Sequence, residues 1–150
     1  MHLTNHTDYY AQLFLTGLLL IFFFNTSHAA KIKAISIEES VQINFGTIAA
    51  DNGICTMQSG GTLSGSAGQF CSGIETPAEF IVGGTNGQII ELMVTGGSNL
   101  GVTFRPAIDG SSIITMQGSS TSVFIIGEIE LNNVSQGNIS IPYIFSANYQ

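Results

Sequence analysis

The chain has 150 residues, with three Lys plus Arg against ten Asp plus Glu, and a net charge of −7. That length holds one domain, and so few cations leave no positive patch of the kind nucleic acid requires. Few charges with abundant Gly, Ser, Ile and Val describe a folded, β-rich chain and exclude a disordered one.

The first expected element is a leader. Residues 13–24 form an apolar run interrupted only by Thr16 and Gly17, and Ser27-His28-Ala29 follows it. An apolar run of about twelve residues ending in small side chains reads as a secretory signal, and it is shorter than the ~20 residues a bilayer span takes. Cleavage between Ala29 and Ala30 is expected, leaving residues 30–150 as a single β-sandwich domain with no stable membrane span. Residues 1–12 carry Asp8 and no Lys or Arg, so an uncleaved anchor is the alternative. No cysteine directly follows the run, which argues against a lipid anchor. Cleavage also removes His2, His6 and His28, the only histidines, and leaves a net charge of −6.

Residues 30–40 are an N-terminal extension or a first strand. Ile35, Ile37, Val41 and Ile43 occupy odd positions, with Glu39 breaking the row. Alternation of this kind puts one apolar row on a core, and a long exposed row would invite aggregation. The four residues must therefore be buried, either in their own domain or, as a donated strand, in a neighbour's groove. Asp51-Asn52-Gly53 reads as a turn, residues 54–57 as a short strand, and residues 59–68 as turns around a brief strand at 62–64. Ala78, Phe80 and Val82 alternate, as do Ile90, Leu92 and Val94 after a glycine turn. Residues 96–99 turn the chain again, and Leu100, Val102 and Phe104 are expected to point inward. Asp109-Gly110 is a two-residue hairpin signal. Residues 113–116 are short and apolar, and Val123, Ile125, Gly127, Ile129 and Leu131 make a further odd-position row.

The last stretch, residues 137–150, organises the rest. Ile139, Ile141, Tyr143, Phe145, Ala147 and Tyr149 alternate with polar residues, predicting a long C-terminal strand. Pro142 lies on its outward row; proline cannot donate to a ladder, so the strand should have a free edge there. Outside the leader no helical spacing occurs. Seven to nine strands with turns every 8 to 12 residues predict an all-β, antiparallel sandwich.

Cys55 and Cys71 are the only cysteines. An isolated pair in an exported chain reads as a disulfide, and closing such a loop contributes about 3 kcal/mol in the chain-entropy account.

Catalysis finds little support. Without histidine after cleavage, a Ser-His-Asp or Cys-His arrangement cannot be built, nor can an imidazole metal site. Glu128 and Glu130 lie two apart on one strand and share its solvent face, which describes a solubilising edge better than a carboxylate pair for glycoside chemistry. Asp51-Asn52-Gly53 lacks the further acids of a calcium loop. The glycine pairs at 83–84 and 96–97 precede no helix and are turns, not phosphate cradles. Arg105, the only arginine, reads as a surface residue. No enzyme, cofactor or metal site is expected.

Several short motifs resemble a secreted bacterial domain family related to chaperone–usher fimbrial subunits: Ile43-Asn44-Phe45-Gly46-Thr47-Ile48, Pro77-Ala78-Glu79-Phe80-Ile81-Val82 with Gly84, Ile126-Gly127-Glu128-Ile129-Glu130-Leu131, and Asn148-Tyr149. The resemblance implies an incomplete immunoglobulin-like sandwich with a disulfide and a C-terminal edge strand. In that family the missing strand is lent by a periplasmic chaperone, and then by the N-terminal extension of the next subunit. An outer-membrane usher and other copies or related subunits are the further partners it implies. The extension before Phe45 is short here, and Glu39 interrupts it. The first expectation is a structural subunit of a surface fibre, passing through the periplasm to the cell surface. The alternative is a free-standing secreted module that binds carbohydrate or a surface and completes its own sandwich.

Overall fold

The computed structural model describes residues 31–48, 52–66, 71–72, 74–135 and 137–150. The expected leader and its cleavage point lie outside these residues. The chain is an all-β antiparallel sandwich, with twelve strands among the described residues. In order they are β1 (Ser36–Val41), β2 (Thr47–Ile48), β3 (Gly53–Met57), β4 (Leu63–Gly65), β5 (Cys71–Ser72), β6 (Ala78–Gly83), β7 (Ile89–Thr95), β8 (Ser98–Asn99), β9 (Val102–Ile108), β10 (Ile113–Thr115), β11 (Ser120–Leu131) and β12 (Ile144–Tyr149).

The twelve-residue β11 is the spine of the larger sheet. Its first half, Ser120 to Ile125, pairs with β6, and β6 pairs in turn with β1. Its second half pairs with β3 from Gly127 to Leu131 and with β9 from Ile125 to Leu131. Gly127 marks the changeover, at φ 147°. A Cβ there would run into the Arg105 carbonyl and stand 2.8 Å from Pro106 Cα. Only glycine combines that dihedral with so close a neighbouring backbone.

The smaller sheet runs β10-β7-β12. It covers only the first half of β11. Ile90 and Leu92 of β7 meet Ala78, Phe80, Val82, Val123 and Ile125 in a first core, with Met116 buried beside them. The alternations at 78–82, 90–94 and 123–131 all face inward as their spacing predicts. The second core is Phe45, Met57, Val102, Phe104, Ile129 and Leu131. No strand of the smaller sheet faces it. It is covered by residues 42–48 on one side and 134–143 on the other.

The Cys55–Cys71 disulfide forms, with Cα atoms 6.1 Å apart, inside the ordinary range for such bonds. It ties β3 to β5, and β5 pairs with β2 directly after the 42–46 segment.

Two expectations are corrected. Leu100 does not join the inward row of Val102 and Phe104; it is 72% exposed. It lies at φ 48°, followed by Gly101 at φ 81°, in the two-residue turn joining β8 to β9. Positive φ at both central residues is the turn whose twist suits a hairpin, and it removes Leu100 from the pleat. Asp109-Gly110 makes no hairpin. The strands around it belong to different sheets, β9 pairing with β11 and β10 with β7, so the turn carries the chain across the sandwich.

Candidate functional site

The N-terminal row lies in and around β1. β1 pairs with β6 of its own chain, Ile37 opposite Val82 and Glu38 opposite Ile81. Ile35 and Ile43 pack against the first core. Ile37 stays 40% exposed on β1, which among the described residues is an edge strand paired with β6 alone.

The C-terminal row keeps its alternation but is a strand only from Ile144 onward. Ile139, Ile141, Tyr143, Phe145, Ala147 and Tyr149 are half-buried, while Asn138, Ser140, Pro142, Ile144 and Asn148 are exposed. Ile139, Ile141 and Tyr143 pack on the second core; Tyr143, Phe145, Ala147 and Tyr149 pack on the first. Among the described residues β12 is an edge strand whose only partner is β7.

Three contacts fix which backbone groups point where. Gln150 N donates to Ile89 O at 3.1 Å. Asn99 Nδ2 donates to Ser140 O at 3.0 Å. Pro142 O lies 2.6 Å from where a Cβ on Gly97 would stand, so glycine is required at that crossing. The even-numbered residues thus turn their polar backbone groups toward β7 and β8. Backbone groups alternate sides along an extended chain, so those of Ile139, Ile141 and Tyr143 face the other way, onto an open edge. Pro142, lacking an N–H, interrupts the β7 side and ends that ladder, but it leaves the open edge whole. Among the described residues no backbone–backbone hydrogen bond joins residues 137–143 to another segment.

This edge is one wall of a cleft of about 930 Å³. Val102, Phe104, Ile129 and Leu131 form its floor, and residues 42–46 with Ile48 form the opposite wall. That wall is held by paired bonds of 2.8 Å between Asn44 and Thr76, and by an Asn44 side-chain bond to Gly46 N at 2.9 Å. Aromatic rings brace the centre. Phe104 meets Phe45 edge-on at 5.6 Å and Tyr143 at 5.7 Å, and Phe80 stacks on Phe145 at 4.6 Å.

Among the described residues lining the cleft only Glu39 is charged. Tyr143 donates its phenolic hydrogen to Glu39 Oε1 at 2.7 Å, across 104 positions of sequence. Burial raises the Tyr143 phenol well above its ordinary range, and the Glu39 carboxylate pushes it the same way. The signal for this pair was in the rows themselves: Glu39 shares the parity of its apolar neighbours, so it points inward.

No family model, curated protein or solved structure matches this chain. The reading of the cleft therefore rests on its chemistry.

The other singled-out residues lie elsewhere. Arg105 donates to Glu128 Oε1 at 3.0 Å and pairs with Glu130 on the outer face of the larger sheet. The Glu130 hydrogen bond, then its charge, raises the guanidinium further. The arginine that read as a lone surface residue is thus the cross-strand counter-ion of the two glutamates. Among the described residues no group of His, Cys, Asp and Glu is arranged to hold a metal, and no helix is long and apolar enough to cross a membrane.

Proposed function

We propose that this protein is a structural subunit of a bacterial surface fibre, and that it works by accepting an extended strand from a partner along residues 139–143. The observation that carries the reading is the open backbone edge of those residues above the apolar floor of Val102, Phe104, Ile129 and Leu131. An added strand with apolar residues on alternate positions satisfies both at once: its backbone pairs with the edge and its side chains enter the floor. The motif resemblance to chaperone–usher subunits supports the same reading, with export, a periplasmic chaperone that protects the cleft and an outer-membrane usher as its corollaries.

The pairing of β1 with β6 shapes the proposal. Ile37 and Val41 pair with this chain's own β6 while Ile35 and Ile43 pack on its core, which supports taking the accepted strand from another polypeptide. The same pairing favours one other reading, a free-standing secreted module that binds its ligand in the cleft. Surface fractions run on a gel without boiling distinguish them. A subunit should appear in a ladder that collapses on boiling, and Ile141→Asp should leave the ladder while still folding. A single band without boiling overturns the fibre reading and leaves the free-standing module.

A further inference from the structure

One end of the cleft is built by Glu39 and Tyr143, which both line it and are joined by the 2.7 Å bond. Past Tyr143, the side chains of Phe145, Ala147 and Tyr149 pack on the first core and line no part of the cleft. Tyr149 closes that region by donating to Lys33 O at 2.8 Å and accepting from Thr85 N at 2.9 Å. Glu39 holds its place in the regular β1–β6 ladder, opposite Phe80. The β1–β6 register shifts between Glu39 and Val41, and Ser40 Oγ is held by Glu79 O and Oε2 at 3.1 and 3.0 Å. The bulge therefore falls on Ser40 and leaves Glu39, the one charge among the described residues lining the cleft, on the inward side of the ladder. Its second oxygen, Oε2, has no partner among the described residues.

We propose that the Glu39–Tyr143 pair is a stop that sets the register of the accepted strand and selects its charge: the strand pairs with Ile139, Ile141 and Tyr143 only, and brings a Lys or Arg against Glu39. The inference rests on the strand-acceptor reading. Tyr143 packs against both cores and is the last residue of its segment to line the cleft. A cationic partner gives Glu39 Oε2 a charge-assisted hydrogen bond, whereas an acidic one meets like charge beside an apolar floor, with no cation among the described residues lining the cleft to offset it.

The test uses the folded, disulfide-bonded protein and two synthetic peptides of alternating isoleucine and threonine, one with lysine at both ends and one with glutamine. Binding is followed by fluorescence anisotropy and by amide hydrogen exchange. The amides of Ile139, Ile141 and Tyr143 should slow on binding, and those of Phe145, Ala147 and Tyr149 should not. The lysine peptide should bind about fivefold more tightly, the scale of one modest ion pair. Glu39→Gln should abolish that preference, the two peptides binding the variant equally, and Tyr143→Ala should extend protection to Phe145. Protection reaching Tyr149 in the unaltered protein overturns the stop, and a lysine preference that survives Glu39→Gln overturns the selection. If neither peptide binds, the acceptor reading itself falls. If residues 139–143 become protected without peptide as protein concentration rises, the occupant is a second copy and the proposal is overturned.

Discussion

Phe80→Ala and Phe104→Ala remove the same side chain from the two cores, and the half-covered fold predicts different costs. Phe80 is 8% exposed and Phe104 only 3%, so burial alone ranks Phe104 as the costlier loss. Each residue makes two aromatic contacts, Phe80 with Tyr143 and Phe145, Phe104 with Phe45 and Tyr143, so those terms nearly cancel. The transfer terms cancel too. What differs is the void. At Phe80 it is enclosed between two sheets, and a void of roughly 100 Å³ at ~24 cal/mol per Å³ costs about 2.4 kcal/mol. At Phe104 it opens into the cleft and fills with solvent, so much of that cost disappears. Within the ~3–5 kcal/mol usual for Phe→Ala, Phe80 should sit near the top and Phe104 near the bottom, at least ~1 kcal/mol apart. Urea unfolding with the disulfide intact, read by circular dichroism and compared at equal m-values, measures the difference. Equal losses, or a larger loss at Phe104, would refute the claim that the second core stands open on one side.

Reducing Cys55–Cys71 should lower stability by about 3 kcal/mol, read as a shift of the urea midpoint on adding reductant; an unchanged midpoint would mean the bond constrains nothing in the unfolded chain. Stability should also fall as pH climbs above about 10. The unfolded chain there releases the Tyr143 proton while the folded chain, whose phenol is raised, keeps it, so folding is favoured below that pH and progressively less above it. Tyr143→Phe should flatten this alkaline slope in urea midpoints collected across the range. Gly127→Ala should cost at least ~2 kcal/mol, from a positive φ and a clash with fixed backbone, and a thermal midpoint within experimental error of the parent would contradict the assigned changeover.

The rows that were legible in advance are those whose alternate residues have a layer to face. Ala78, Phe80 and Val82, then Ile90 and Leu92, then Val123 to Leu131 are buried on the faces their spacing assigns. Parity survived even where the ladder did not: residues 139–143 alternate in burial without being a paired strand, because a pattern of two records which side faces apolar surface and says nothing of a partner. Leu100 misled because a tight turn can interrupt a row without changing its spacing. Asp109-Gly110 gave a sound turn signal, but whether a turn pairs its flanking strands or sends them to different sheets depends on distant elements. Arg105 with Glu128 and Glu130, and Glu39 with Tyr143, are pairs made by topology, and their members are 23, 25 and 104 positions apart. The cleft was least legible of all. It exists because β7, β10 and β12 cover half of a larger sheet, and no local pattern encodes where a layer stops.

β11 belongs to both halves, one flank of it in each core. Neither half can melt while the other keeps its spine intact, so the molecule should unfold as one cooperative unit despite its two cores, with calorimetric and van't Hoff enthalpies in agreement. The open half then borrows its rigidity from the closed half. A cleft that is exposed and poorly covered is kept in shape by a strand whose other end is locked in a finished core.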